Sequence, residues 1–440
     1  MAEKFEPMNA KGVRDFLPEE AIPRKRIIER LKAIFEKYGY SPLETPAIER
    51  IDVLSAKFAG GAEIMKEIFK VEDQGGRELA LRYDLTVPMA KVVGMNPNLP
   101  KPFKRYQIQP VWRDGPVKLG RYREFMQCDA DVVGTKSMLA DAEILAIISE
   151  FFTKLGLGFV IRVSSRKLMN GILGYAGIKE NKMDAILSID KLEKFGIDAF
   201  RKEMDEKGFG AKMIENVLKI LELKGRNGEL LEKAEKLMKD AEVKEGIKEL
   251  KELLEYCELM GVAIKLDFSL ARGLEYYTGP VFEVYLEKSK VTSSVAGGGR
   301  YDRMIGMFIG RGDYPATGIS FGLEPIFEAL KERKNEAQKT VTQALVIPIG
   351  TLKEAIKLAD KLRKDGIRTE IDLLERGISA NLNYANSLGI PYVVFLGKKE
   401  LAEKKVKLRD MRSGKEKMLE VSKVKSEIIT HQAIGDINAF

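Results

Sequence analysis

Along the first forty residues, Ile27, Ile28, Leu31, Ile34 and Phe35 recur at three- and four-residue intervals, and Gly39 closes the run. That is the period of one apolar helix face with a glycine stop, so the spacing predicts a helix over about 20–38. The pattern then changes. "GYSPLETPAIER" is extended and punctuated by prolines, and "ELALRYDLTVPMAKVV", "KRYQIQPVWRDG" and "RYREFMQCDADVVG" are short strand-like runs with polar interruptions. Helical spacing returns at about 138–155. Short strands in succession predict an antiparallel sheet.

From about 166 to 260 the chain is helical by period and dense in Lys and Glu, as in "LLEKAEKLMKDAEVKEGIKELKELLEYCELMG". It reads as a solvated helical subdomain. Strand signals resume near 262, which makes it an insertion within one sheet. After the charged stretch "ALKERKNEAQKT", strand and helix alternate through "QALVIPIG", "LKEAIKLADKLRKDG", "IRTEIDL", "ISANLNYANSLG" and "PYVVFLG". That rhythm predicts a small α/β domain with a largely parallel sheet over about 340–430. The whole is therefore α+β: a first domain over 1–335 containing the 166–260 insertion, and a second over 336–440.

Composition narrows the chemistry. Hydrophobic residues at 45% and charged residues at 32% describe a globular chain, with no run of about eighteen apolar residues and no signal-type apolar segment at the N-terminus. The expected address is the cytosol, with no membrane partner. A net charge of +8 permits an anionic partner, although a Lys/Glu-rich surface also suits a thermophile. The basic stretch "GKKELAEKKVKLRDMRSGKEKM" reads equally as a nucleic-acid face or as a solvated hairpin. Cys128 and Cys257 stand far apart, which suggests neither a disulfide framework nor a zinc cluster. His431 is the single histidine, so two-histidine metal sites and HExxH helices are excluded. Catalysis must run on carboxylates, arginines, lysines, tyrosines and backbone.

Four stretches carry candidate chemistry. In "VWRDGPVKLGRYREFMQCDADVVG" two strands meet at a Gly-Pro-Lys-Gly loop, and Arg113, Arg121 and Arg123 crowd the turn. Phe125 offers a flat surface for a base, while Gln127, Asp129 and Asp131 alternate and so share one strand face. This suits a ligand with a phosphate end and a cationic end; a solvent-facing hairpin of balanced charge is the plainer alternative. Asp84 and Thr86, two apart beside Pro88, can hold an ammonium group, and Thr86 reads equally as a helix cap. "LARGLEYYTGPVFEVY" places Arg272, Glu275, Tyr276 and Tyr277 ahead of a strand, as the rim of a ligand site or a polar strand end. "SVAGGGRYDRMIG" allows close backbone approach to a ligand, or marks a tight turn. "GISFG" formally matches a nucleophile elbow, with His431 following in the order a hydrolase needs, but so short a pattern recurs by chance.

Together these stretches resemble the class II histidyl-tRNA synthetase family over essentially the whole chain. "GYSPLETPAIER" is similar to motif 1, the 111–134 hairpin to motif 2 and "GISFGLEPIFEAL" to motif 3; "GVRDFLP", "LARGLEYYTG" and "AGGGRYD" match histidine-specific signatures. The resemblance implies a class II antiparallel-sheet catalytic core with a helical insertion and a C-terminal anticodon-binding domain. It implies adenylation of L-histidine with ATP and Mg²⁺, transfer to tRNA(His), and a homodimer built on motif 1. It also implies roles. Arg272 neutralises the reacting carboxylate and α-phosphate, on which Arg113 also acts, Arg121 holds the outer phosphates, and Phe125 stacks on adenine. Asp84, Thr86 and Gln127 hold the α-amino group. Tyr277, beside Tyr276, bonds the imidazole with Asp131 opposite. Two departures stand out: Pro325 follows Glu324 where the family has an arginine, leaving that role to Arg303 or Arg311, and Gly115 replaces the motif 2 acid, with Asp114 adjacent. The rival expectation is a regulatory paralogue serving histidine biosynthesis, which would have lost these signatures.

Overall fold

The structure, a computed structural model, describes residues 6–55, 65–117, 120–310, 312–333 and 338–436. These divide into two compact units: Ile27–Glu332 with the chain up to Arg14, and Asp15–Arg26 with the chain from Arg333 onward.

The described residues of the first unit include strands β1 (Ser41–Pro42), β2 (Ile48–Arg50), β3 (Lys70–Glu72), β4 (Glu78–Leu81), β5 (Phe103–Trp112), β6 (Glu124–Val133), β7 (Phe159–Ser165), β8 (Lys265–Leu266), β9 (Pro280–Leu286), β10 (Ala296–Arg300) and β11 (Ala316–Gly322). Eight of them form one sheet in the order β1-β5-β6-β11-β10-β9-β7-β8. Its inner pairings are antiparallel, and only the edge pairs β1/β5 and β7/β8 run parallel. A smaller antiparallel sheet runs β2-β4-β3.

Alternation decides which face is covered. On β6 the buried Cys128, Ala130 and Val132 alternate with Gln127, Asp129 and Asp131, so the two sets point to opposite faces. The apolar face is packed by helix Met138–Lys154, whose Phe151 meets Phe321 of β11 edge-on at 5.2 Å, and by Phe35, stacked on Tyr106 at 5.6 Å. The polar face carries the cleft. The expected insertion is present as helices Arg166–Tyr175, Lys182–Glu206, Ala211–Leu221, Asn227–Leu237 and Ala241–Leu259, amphipathic around buried Ile214, Leu218, Leu231, Ile247 and Leu250.

The three glycines of "AGGGR" are not a turn. They lie inside β10, flanked by β9 and β11, and a Cβ on Gly298 would stand 2.8 Å from Ile319 Cα. Only a residue without a side chain lets the strands approach this closely.

In the second unit β12 (Ala344–Ile349), β13 (Thr369–Ile371), β14 (Tyr392–Gly397), β15 (Lys405–Asp410) and β16 (Glu416–Glu420) form the sheet β13-β12-β14-β15-β16. β12 pairs in parallel with β13 and β14, but β14/β15 and β15/β16 are antiparallel. The sheet is thus mixed rather than largely parallel, because the chain after β14 turns back through the short helix Lys398–Ala402 and then through the β15–β16 hairpin. Val346, Leu358, Leu362 and Val394 pack one face, and Leu345, Ile347, Val393 and Phe395 the other. No helix among the described residues is long and apolar enough to cross a membrane.

Candidate active site

Strand register builds the site. Reading across the sheet from β5 to β7, one row of paired residues is Gln107, Asp129, Ser320, Gly297, Glu283 and Arg162; the next is Arg105, Asp131, Gly318, Gly299, Val281 and Ser164. Directly paired residues project to the same face. Each row therefore has side chains at its ends and glycine near its middle. The hollow over these glycines is a cleft of about 370 Å³, within the usual size for a small-ligand site.

Eight of the residues assigned a role by the resemblance take positions there. Asp84, Thr86, Arg113, Gln127, Asp131, Arg272, Tyr276 and Tyr277 line the cleft. Phe125 lies just outside it, with the Arg113 guanidinium 5.1 Å above its ring. Arg113 Nε donates to the Tyr83 carbonyl at 3.0 Å, which ties it to the chain entering Asp84. Burial lowers the Arg113 pKa, although Asp84 opposes the shift. Arg121 is exposed, 3.3 Å from Glu67.

At the other wall Arg272 lies against Glu283, its Nη1 donating to Oε1 at 2.8 Å. A Cβ on Gly297 would stand 2.9 Å from Arg272 Cζ, so the guanidinium crosses the sheet over that glycine. The loop carrying it is held by Arg166, whose Nη2 donates to the carbonyls of Arg272 and Leu274, each at 2.7 Å. Burial opposes the charge of Arg272, yet Tyr277, Glu283, Tyr276 and Asp190 more than offset this and raise its pKa. Tyr276 packs on Tyr277 at 4.7 Å and edge-on to Tyr301 at 6.0 Å.

Between the walls stand three carboxylates. Burial pushes Asp84 up to about 6 and Asp129 up to about 7, while Arg105 pulls both down; Asp131 is raised too, again chiefly by burial. Val87 N–H donates to Asp84 Oδ1 at 3.2 Å, so this carboxylate also serves the start of helix Thr86–Met95. Thr86, the expected cap, is instead the first residue of that helix, whose N-cap position is Leu85. Asp131 is engaged by the Tyr301 hydroxyl and, at 2.7 Å, by Arg105. Gln127 Nε2 donates to Ser320 Oγ at 3.0 Å. "GISFG" is simply the end of β11, and Ser320 faces the cleft from a regular strand.

Several contributors escaped the sequence reading. Leu187 and Asp190 reach the cleft from the insertion helix Lys182–Glu206, so the insertion is more than a solvated appendage. At the rim, desolvation and Glu283 raise the Asp190 carboxyl while Arg272 opposes. Arg105, fully buried, is the counter-ion beneath the carboxylates, and Tyr83 and Tyr301 complete the lining.

A family model described as "Histidyl-tRNA synthetase" matches residues 12–326, and one described as "Anticodon binding domain" matches 343–431. The chain belongs to the histidyl-tRNA synthetase family. A Histidine–tRNA ligase 1 from Bacillus cereus is 44% identical over 429 residues, 95% of this chain and 98% of its own. A Histidine–tRNA ligase from Aeropyrum pernix is 42% identical over 401 residues, 90% of this chain and 91% of its own. Among solved structures, a histidyl-tRNA synthetase from Nostoc sp. PCC 7120 superposes with a TM-score of 0.87 at 30% identity, covering 97% of this chain and all of its own. A Bacillus halodurans protein titled as an ATP phosphoribosyltransferase regulatory subunit/histidyl-tRNA synthetase shares the fold, at a TM-score of 0.74 and 24% identity.

Against that family pattern the two departures acquire physical neighbours. Pro325 packs by the motif 2 turn, where a Cβ on Gly120 would lie 3.6 Å from Pro325 Cα. Glu324 beside it is buried and accepts from Met126 N–H at 3.2 Å. Of the arginines expected to stand in, Arg303 is exposed and absent from the cleft lining, and Arg311 lies outside the described residues. At Gly115 a Cβ would stand 2.9 Å from Glu67 Cδ, so the Glu67 carboxylate occupies the space where a residue-115 side chain would begin. Asp114 is paired instead with Arg123 at 2.9 Å. The "GVRDF" signature packs here as well, with the Gly12 carbonyl accepting from Arg123 N–H at 2.8 Å. In the anticodon-binding unit part of the basic stretch is paired: Arg409 and Lys407 lie 3.2 and 3.5 Å from Glu416, and Lys417 contacts Glu427.

Proposed function

We propose that the chain activates L-histidine with ATP and passes the histidyl group to tRNA(His), with the residues of the sheet cleft in the following roles. It is an aminoacyl-tRNA ligase by family, and its use of ATP follows from that class. The observation that carries the residue assignment is the polarity of the cleft: arginines Arg113 and Arg272 on its walls, carboxylates on its floor, and glycines between.

In the first step a histidine carboxylate oxygen attacks the α-phosphorus of ATP, and the bond to pyrophosphate breaks. Nothing needs to be protonated by an enzyme histidine. The work is positioning and charge stabilisation, which fixed guanidinium groups supply well in a partly dry site. Arg272 and Arg113 face the α-phosphate, Phe125 underlies adenine, and Arg121 reaches the outer phosphates after leaving Glu67. Glu67 takes the part of the missing motif 2 acid. Asp84, Thr86 and Gln127 receive the α-ammonium group. Tyr277, with Asp131 opposite, faces the imidazole. In the second step the terminal ribose hydroxyl of tRNA attacks the acyl carbonyl and AMP leaves.

Among the described residues no group of three or more acidic, histidine or cysteine side chains is arranged to hold a metal ion. A Mg²⁺ arriving with ATP would neutralise phosphate charge in the cleft beside Arg113 and Arg272. A cytosolic homodimer completes the reading. The regulatory alternative is disfavoured, because the signatures it would have lost are present, and residues of "LARGLEYYTG" and "AGGGRYD" line one cleft.

The second unit supplies tRNA affinity in this account. Removing residues 336–440 is expected to lower kcat/KM for aminoacylation of tRNA(His) by about 10²-fold or more while changing histidine-dependent ATP–pyrophosphate exchange only a few-fold. Unchanged charging by the folded fragment would remove the anticodon-binding role.

A further inference from the structure

The turn joining β5 to β6 carries Arg113 and Arg121, and its hydrogen bonding breaks off before a regular hairpin is complete. Arg113 and Arg123 follow the pair Trp112 and Glu124 in register, and Arg113 N–H donates to the Arg123 carbonyl at 2.8 Å. In a continuing antiparallel ladder Arg123 N–H would return that bond to Arg113. It donates instead to the Gly12 carbonyl, at 2.8 Å. On the outgoing arm Asp114 N–H likewise turns away, to the Glu67 carbonyl at 2.7 Å. Each arm of the turn is thus held by a carbonyl from elsewhere in the chain.

The segment supplying the Gly12 carbonyl has no helix or strand of its own, since residues 6–17 are irregular apart from one turn. Val13 N–H closes that turn on the Ala10 carbonyl at 3.2 Å, and Gly12 occupies its third position with a φ of +85°. Glycine is required here on two counts. The backbone is left-handed, and a Cβ would stand 2.7 Å from Arg123 Cγ on the return arm and 2.9 Å from Val117 Cγ2 on the outgoing one. Gly12 therefore abuts side chains of both arms. Two residues on, Arg14 Nη1 donates to the Tyr122 hydroxyl at 3.3 Å, its guanidinium 5.6 Å from the centre of that ring. Arg123 completes the tie through its 2.9 Å pair with Asp114. Gly12, Arg14, Val117, Tyr122 and Arg123 are all at least partly exposed, so these contacts shape the turn and add little to the core. All of them lie in one compact unit.

Granting the nucleotide roles given above to Arg113, Arg121 and Phe125, we propose that residues 10–14 form a wedge that presets the turn for ATP, with Gly12 as its positioning residue. The wedge acts through the turn and not on substrate. By taking the N–H of Arg123, the Gly12 carbonyl keeps the last bond of the hairpin from closing. Arg14 on Tyr122 steadies the return arm beside Arg121. A turn already set in this shape binds nucleotide without first having to order its arms, and preorganisation of that kind appears as affinity. Asp84, Thr86 and Tyr277, which receive histidine in the same reading, belong to other segments, so histidine binding does not depend on the wedge.

The experiment is calorimetric titration of the full-length protein with MgATP and, separately, with histidine, beside ATP–pyrophosphate exchange and melting curves. Wild type is compared with Gly12→Ala, Arg14→Ala and Lys11→Ala. In Gly12→Ala the methyl meets both arms and the left-handed φ disfavours it, so the wedge leaves the turn. Its Kd and KM for ATP should rise by about 10-fold or more, and Arg14→Ala should raise them a few-fold. Histidine Kd and KM should stay at wild-type values, and both variants should melt within a few degrees of wild type. General loss of structure would not give that split. Lys11→Ala, exposed in the same turn, should bind ATP as wild type does. Wild-type ATP affinity in Gly12→Ala, a parallel loss of histidine affinity, an equal effect from Lys11→Ala, or failure of Gly12→Ala or Arg14→Ala to fold would each overturn the wedge. Absence of exchange by wild type, with MgATP binding weakened in Gly12→Ala, would reject histidine activation and leave the wedge standing. A wild type that binds no MgATP would overturn both.

Discussion

Arg272→Ala is expected to lower histidine-dependent ATP–pyrophosphate exchange by about 10²–10³-fold, the loss found when one preorganised transition-state donor is removed. The effect should fall on kcat, with tRNA binding nearly intact. Three features single out this arginine: it faces the cleft, its loop is clamped by two 2.7 Å bonds from Arg166, and its charge is reinforced by Tyr277 and Glu283. Those features keep the guanidinium charged and fixed before substrate arrives, so no reorganisation is needed when negative charge develops. Arg272→Lys retains the charge but loses the fork, and should recover only part of the activity. Exchange within a few-fold of wild type, or an equal loss of tRNA binding, would remove Arg272 from the mechanism.

Gly297→Ala is expected to mimic that loss without touching Arg272. The added methyl would press on the guanidinium, 2.9 Å from its Cζ, and the side chain must leave its bed between Gly297 and Glu283. Gly297 is in a strand with no positive φ, so alanine is tolerated by the backbone and the protein should fold. A misplacement of about 1 Å costs on the order of 10²-fold in a reaction that depends on alignment. Since both substitutions remove one interaction, the double variant should be no worse than Arg272→Ala alone. Additive losses would show that Gly297 acts on something else, such as direct contact with substrate.

The legible parts of the molecule are those where the local pattern decides the outcome. Alternation in "QCDADV" places Gln127, Asp129 and Asp131 on one face whatever lies around them, and the helix Met138–Lys154 follows from its periodic apolar face and its Ser137 cap. Asp84, Arg113, Arg272 and Tyr277 could be named as candidates because clustered polar residues in otherwise strand-like sequence have few structural excuses.

The hidden parts depend on tertiary placement. Nothing in a Lys/Glu-rich helix distinguishes Asp190 from its neighbours; only the fold brings it to the rim. Arg105 looks like any strand-surface cation until the register pairs it with Asp131 under full burial. The glycines of β10 carry the same ambiguity, since a turn and a close strand approach both call for glycine. Glu67, close to Gly115 in space but forty-eight positions away in sequence, is invisible to motif spacing.

The most direct test of the account is ATP–pyrophosphate exchange by the full-length protein with each of the twenty standard amino acids in turn. Exchange with histidine alone is the predicted result, and it would also show that Pro325 does not prevent ATP activation. Exchange with no amino acid, or with one other than histidine, would contradict it.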